Sequence, residues 1–261
     1  MAAVTPTRTY GWRVFAAGIM ALGLVALMQG DFDPGQPVPR ALPGRTVLAW
    51  AAAMFMLGAG AALAWRRTVA AGAAALAGYY ALIVVLWMGG RVLLAHYREY
   101  GAYSGSAEQL ALAAAALMVY AAHARIDPAR AARLTRSGQV AFAACVLLFG
   151  GAHFVYLNLT APLVPRWLPP SPQFWAYATG LGQIAAGLAI LTGIRSRLAA
   201  ILLTAMYVGF AFLVHLPMLL ADPSSRMSWS ENALNLALTG AAWVVADSLS
   251  GRAAPAHAAL A

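Results

Sequence analysis

Long runs of apolar residues alternate with short polar segments along almost the whole chain. Each run has about 20 residues, the length that an α-helix needs to cross the hydrocarbon core of a bilayer. The runs are rich in Ala and Leu and lack the period of two that is typical of a strand, so they predict helices. We predict eight membrane spans, at residues 12–29, 46–65, 68–90, 107–123, 138–157, 173–192, 197–219 and 232–249.

The first of these spans has two interpretations. Arg8 and Arg13 precede its apolar run, as basic residues do in a signal peptide. No small-x-small cleavage motif follows cleanly, because the run ends at Gln29, Gly30 and Asp31. We therefore predict a retained helix.

The composition agrees with a membrane protein. Hydrophobic residues make up 62% of the 261 residues and charged residues only 10%, and the mean hydropathy is +0.71. These values exclude a disordered chain, a coiled coil and an ordinary soluble enzyme. The net charge of +9 comes from arginines in short gaps between apolar runs, so it predicts the lipid bilayer and no nucleic acid as a partner. The single cysteine, Cys145, lies in an apolar run and cannot form a disulfide within the chain.

The arginines also predict an orientation. With a cytoplasmic N-terminus, 11 of the 17 arginines fall in cytoplasmic segments and 6 in outer segments. Basic residues near spans accumulate on the cytoplasmic side. We therefore predict a multi-pass protein of the bacterial inner (plasma) membrane with both termini in the cytoplasm.

The two halves of the chain resemble each other. The hexapeptide VPRALP at 38–43 recurs as VPRWLP at 164–169, and the segment that begins at Glu108 has a counterpart that begins at Glu231. The sequence therefore predicts an all-α membrane protein of two tandem, parallel four-helix repeats. The predicted repeats are 10–123 and 137–249, and a cytoplasmic Arg-rich linker at 124–136 joins them.

Small residues recur on several spans and predict close contact between helices. Gly150 and Gly151 precede His153 and are expected to let a neighbouring helix approach it. Two further rows have helical spacing, Gly58 with Ala62, and Ala178 with Gly182 and Ala186.

Polar side chains inside the spans are the candidate functional residues, because such groups are costly in lipid. In the predicted topology, His153, His215 and Glu231 share one depth close to the outer leaflet. Gln183 lies on the sixth span, and Asn235 lies one turn after Glu231 on the same face of the eighth. We predict that these five side chains face one pocket. No charged residue lies at the middle of a predicted span, which speaks against ion-coupled transport.

Three interpretations of this candidate pocket stay open. In the first, the polar groups only stabilise the fold. In the second, they bind a small molecule such as a quinone, with a histidine donating to a carbonyl oxygen. In the third, His153 and His215 bind haem, or bind iron together with Glu231, since two histidines and a carboxylate are a known iron ligand set. No motif fixes a metal ligand or a catalytic residue.

The second half also resembles a known family. The segment Gly150-Gly151-Ala152-His153-Phe154, the VPRWLP hexapeptide, Gly187-Leu188 with Arg195 and Arg197, and His215 with Trp229 resemble the DoxX-like integral membrane proteins of the DoxX/DoxD group, over residues 137–249. Some members are subunits of a thiosulfate:quinone oxidoreductase, and others accompany thiol or oxidative-stress systems. The resemblance implies the membrane subunit of a redox system that handles quinone or a small oxidisable molecule near the outer leaflet, with a soluble oxidoreductase as partner. The alternative is a non-catalytic membrane scaffold or a small-solute carrier.

Overall fold

The computed structural model describes residues 10–36 and 38–250. Every regular element in these residues is helical, so the predicted all-α class is confirmed. Arg8 and Arg252, which contributed to the predicted orientation, lie outside the described residues.

Eight long helices make up most of the described chain. They are α1 Gly11–Gln29, α2 Arg45–Ala64, α3 Val69–His96, α4 Tyr100–His123, α5 Pro128–Val155, α6 Pro172–Thr192, α7 Ser196–Ala221 and α8 Arg226–Ser248. The first seven are long and apolar enough to cross a membrane. Two of them contain π-helical segments, Val84–Leu93 in α3 and Ala211–His215 in α7.

Local sequence signals set several helix ends. The Asp127 side chain accepts a hydrogen bond from the Arg130 amide at 3.0 Å and caps α5, with Pro128 in the first turn. Gly30 and Gly193 end α1 and α6 in the left-handed conformation, with φ of 62° and 82°. Because α5 begins at Pro128, most of the predicted linker at 124–136 is helical.

Each helix packs against the next along the chain, and α8 returns to pack against α1, so the helices form a closed ring. Helices α4 and α8 also contact each other across its centre. We call the two ends of the bundle distal and proximal. The distal end holds the connections 30–44, 97–99, 156–171 and 222–225, and the proximal end holds 65–68, 124–127 and 193–195.

Side-chain contacts hold both ends together. At the distal end, the Gly101 amide donates to Oη of Tyr156 at 2.8 Å, which joins the start of α4 to the end of α5. At the proximal end, the Gly11 amide donates to Oδ2 of Asp247 at 3.1 Å, which joins α1 to α8. The first and last described helices are therefore linked directly.

Glycines allow the closest helix contacts. A Cβ at Gly18 would lie 2.3 Å from the Ala237 amide nitrogen, so α1 and α8 meet backbone to backbone. A Cβ at Gly150 would lie 2.7 Å from the Gly180 carbonyl oxygen on α6. This confirms the predicted close approach of a neighbouring helix at Gly150. A Cβ at Gly58 would have no atom of another helix within 4 Å, so the close contact predicted for it is wrong. The neighbouring Gly60 faces α1 instead.

Candidate functional site

His153 lies between three helices of the second half. Its Nδ1 is 3.4 Å from Oγ1 of Thr179 on α6, and its ring stacks on Phe210 of α7 with centroids 6.3 Å apart. On the next helix, the Asn235 amide donates to the Tyr207 carbonyl at 3.0 Å. Gln183 is buried on α6. These predicted residues therefore lie on the helices that surround Tyr207 and Phe210.

His215 is in the π-helical segment of α7, and its carbonyl accepts a hydrogen bond from Asn232 of α8 at 2.7 Å. Its Nδ1 is buried and has no hydrogen-bond partner in the described residues. The same holds for Oε1 of Gln183 and Oη of Tyr207. A ligand bound in this half of the protein would find hydrogen-bond partners in these buried polar atoms.

Glu231 has a different set of neighbours from the histidines. Its carboxylate interacts electrostatically with Asp33 of the 30–44 connection and with Glu108 of α4. In the described ranges, no three His, Cys, Asp or Glu side chains come close enough together to hold a metal ion. The interpretation of His153, His215 and Glu231 as an iron site therefore has no support in this part of the chain.

The three acidic residues Asp33, Glu108 and Glu231 form what we call the carboxylate cluster. A Cβ at Gly35 would lie 3.0 Å from Oδ1 of Asp33 and 3.4 Å from Oε2 of Glu108, so these two carboxylates flank the same glycine. All three side chains are partly accessible. None of them forms an ion pair with a described residue.

Sequence reasoning missed two members of this cluster. The predicted fourth span began at residue 107, which left Glu108 at its edge, whereas α4 begins at Tyr100 and carries Glu108 within the bundle. Asp33 lies in a connection, and only the folded chain brings it to α4 and α8. A carboxylate inside an apolar run was the available signal for Glu108.

The 30–44 connection folds into the distal mouth of the first four helices. The Gly35 amide donates to Oδ1 of Asp33 at 2.8 Å and forms a tight turn. Beyond it, Gln36 is only 5% exposed and donates from Nε2 to Oε1 of Gln109 at 3.3 Å. Burial raises the pKa of Asp33, against the opposing effects of the Gly35 amide, Ser230 and Arg226. Folding of the connection therefore favours the protonated form of Asp33.

Two arginines fix this connection to the helices. Asp31 forms ion pairs with Arg45 of α2 at 2.7 Å and with Arg226 of α8 at 2.9 Å. Arg226 also donates to the Phe32 carbonyl, and Arg45 lies over the Phe32 ring at 5.4 Å. Burial opposes ionisation of Asp31, but the hydrogen bonds from Arg226 and the Phe32 amide and the charges of both arginines together lower its pKa below the usual 3.8.

We expect Asp31→Asn to lower the free energy of unfolding by about 1 kcal/mol at neutral pH, as for partly exposed ion pairs. Because folding lowers the pKa of Asp31, the stabilisation is present above about pH 4 and is lost as the pH falls through the pKa of the folded state. Thermal unfolding in detergent between pH 3 and pH 7 measures this. The difference between wild type and variant should shrink towards pH 3. Asp222→Asn, at an exposed position of the same end, is the control, and an equal effect of both changes would contradict the assignment.

An open cavity of about 390 Å³ lies on the outer side of the carboxylate cluster. We call it the arginine-lined cavity, after Arg40, Arg45 and Arg226 in its wall, and Asp33 and Gln36 form part of its floor. Asp33 and Gln36 also line a narrow inner space with Tyr80 and Gln109, which in this structure is too narrow for a water molecule. Asp33 therefore stands between an open cavity and the interior of the bundle.

A family described as a domain of unknown function (DUF8561) matches residues 142–246. This stretch runs from within α5 to near the end of α8 and contains His153, His215, Gln183, Glu231 and Asn235. No curated protein and no solved structure matches the chain. The second half of the chain is thus similar to a domain for which no activity has been assigned.

Proposed function

We propose that the protein is a small-solute carrier of the membrane in which the carboxylate cluster binds and releases a proton. The observation that carries the proposal is three acidic side chains gathered at the distal mouth of a bundle of apolar helices, partly accessible and without a basic ion-pair partner in the described residues. Ionisable groups at such positions commonly mark ion and substrate pathways. Carboxylates at close range repel one another, so a bound proton lowers the energy of the cluster.

The arginine-lined cavity supports a path to this cluster. It is open at the distal end and reaches Asp33, which also borders the narrow inner space beside Tyr80 and Gln109. Passage of a solute requires this space to widen. The 30–44 connection is the segment whose movement would widen it, because Asp33 and Gln36 belong to it.

Transport is tested by reconstituting the full chain into vesicles that contain a pH-sensitive dye. Gradients of Na⁺, K⁺ or methylammonium are then imposed in separate experiments. We expect at least one of these cations to drive proton movement faster than in protein-free vesicles. Flux at the protein-free rate with all three cations would overturn the proposal.

We further propose that α8 crosses the membrane as an eighth span and that the two halves are tandem repeats. Helix α8 is less apolar than the other seven, but its polar residues Ser228, Ser230, Asn235 and Thr239 are buried among its neighbours. The helices also pack in the same order in both halves: α1 on α2, α2 on α3 and α3 on α4 in the first, and α5 on α6, α6 on α7 and α7 on α8 in the second. Fully buried or nearly fully buried residues recur 127 positions apart, as in the pairs Phe15 and Phe142, Ala73 and Ala200, and Tyr80 and Tyr207.

The proposed orientation has both termini in the cytoplasm of a bacterial cell and the distal end outside. Reporter fusions after Arg67, Arg133 and Arg252 should then report the cytoplasm, and fusions near Arg40, Arg98 and Arg226 the outside. An odd number of crossings would contradict it.

The second candidate function is the membrane subunit of a redox system that handles a quinone, as the DoxX-like resemblance implies. The unpaired Tyr207 hydroxyl and His215 Nδ1 favour it because each can donate to a quinone carbonyl, and the His153 ring against Phe210 shows that flat rings stack there. The unpaired Oε1 of Gln183 is an acceptor and would suit the hydroxyl of the reduced quinol. Organic extraction of the purified protein and chromatography for quinones test this candidate. Quinone retained by the wild type and lost from His153→Ala would support it, and its absence from the wild type would contradict it.

A further inference from the structure

Another open cavity lies at the distal end, apart from the carboxylate cluster. It has a volume of about 620 Å³, within the range of small-molecule sites. It lies between the 156–171 connection and the start of α6, and we call it the Arg166 pocket. Its lining includes the polar side chains of Asn158, Arg166 and Gln173, all three exposed.

The charges around this pocket differ from those around the other cavities that contain an arginine. The arginine-lined cavity also holds Asp31 and Asp33, and a proximal groove between α7 and α8 is lined by both Arg197 and Asp247. The Arg166 pocket contains no acidic side chain. The Arg166 guanidinium makes no ion pair or hydrogen bond with the residues that the structure describes. Its charge is therefore free for a ligand.

Two neutral polar side chains complement this charge. The amides of Asn158 and Gln173 line the same pocket and, in the described part of the chain, form no side-chain hydrogen bond. Two hydrogen bonds attach the 156–171 connection to neighbouring helices: Trp175 donates from Nε1 to the Pro169 carbonyl at 2.8 Å, and Tyr156 accepts from the Gly101 amide. One guanidinium and two amide groups are suitable donors for an oxyanion.

We propose that the Arg166 pocket binds a phosphate group, with Arg166 as the charged partner and the Asn158 and Gln173 amides as hydrogen-bond donors. Two sources present this chemistry, free phosphate and the headgroup of an anionic phospholipid. The exposed side chains of Leu159 and Trp167, at 61% and 70%, place apolar surface next to the pocket, as is typical of a membrane interface. The proposal does not depend on the carrier function, because the pocket shares no residue with the carboxylate cluster.

Calorimetric titration of the full chain in a neutral detergent tests this proposal with two probes, inorganic phosphate and short-chain phosphatidylglycerol. We expect the wild type to bind at least one of them and Arg166→Gln to weaken that binding about tenfold or more, because a charge-assisted contact is lost. Binding of inorganic phosphate identifies a free anion as ligand, and binding of phosphatidylglycerol alone identifies a headgroup.

The matched control is Arg98→Gln, which removes an exposed arginine at the same end of the bundle outside this pocket. It should change the affinity by less than about twofold, so that a loss specific to Arg166 is separated from a general effect of charge. An Asn158→Ala/Gln173→Ala double variant gives a second test, with the charge retained and weaker binding expected. Failure of the wild type to bind either probe, or equal affinities of the wild type and Arg166→Gln, would overturn the proposal.

Discussion

Replacing Glu108 by Gln is expected to reduce cation-driven proton flux in vesicles about 30-fold or more. Glutamine keeps the size of the side chain and one carbonyl acceptor but has no proton to exchange. A 30-fold loss corresponds to about 2 kcal/mol. Glu231→Gln should have an effect in the same direction, because the two carboxylates interact.

The matched control for this change is Glu99→Gln. Glu99 lies at the same end of the bundle, but its side chain is 68% exposed and it pairs with His96. Its replacement should leave the flux within about twofold of the wild type, since exposed ion pairs contribute little. Full flux in the Glu108→Gln variant, or an equal loss in the Glu99→Gln variant, would show that the carboxylate cluster does not bind the transported ion.

The second large effect concerns the contact between α1 and α8. A Cβ at Gly18 would lie 2.3 Å from the nitrogen and 2.4 Å from the Cα of Ala237, so Gly18→Ala requires the two helix backbones to separate. Overpacking of this kind typically costs about 1–3 kcal/mol. We expect a clearly lower melting temperature in detergent for Gly18→Ala, and loss of the folded protein for the larger Gly18→Leu.

Gly58→Ala is the control for this packing effect. Gly58 lies within α2, and no atom lies within 4 Å of the position that its Cβ would take. Because alanine favours helix over glycine by about 1 kcal/mol, this variant should melt at the same or a higher temperature. A similar fall in melting temperature for both variants would contradict the close approach of α1 and α8.

The helices were predictable because lipid leaves an apolar run few alternatives to a helix. The residues at which the helices begin and end were harder to predict. The segment from Tyr100 to Ser106 is polar and rich in small residues, so its sequence favours a connection, yet it forms the first turns of α4. Contacts with α5 that no local pattern reveals hold it there: the Gly101 amide bonds to Tyr156, and the Tyr100 hydroxyl donates to the Leu148 carbonyl at 2.8 Å.

The candidate site was predictable only where polar residues interrupt an apolar run. This signal identified His153, His215, Gln183, Glu231 and Asn235, and whether they bind a ligand stays a prediction. It did not reveal the partners of Glu231, because Asp33 lies in a connection that reaches the cluster through its own turn and through the ion pairs of Asp31. Such a site depends on how a connection folds back onto the helices, and the hydrophobic pattern carries no information about this.

The central claim is that the carboxylate cluster is an accessible proton-binding site of the bundle. Dicyclohexylcarbodiimide is an apolar reagent that modifies protonated carboxyl groups, so it tests the claim directly when the modified peptides are identified by mass spectrometry. We expect modification of Glu108 or Glu231 in the membrane-embedded protein, and less of it as the pH is raised and carboxyl groups lose their protons. Glu99 is exposed to water and pairs with His96, so it should not react with a reagent that partitions into apolar surroundings. Modification that leaves both cluster glutamates untouched, or that is as strong at Glu99, would contradict the account.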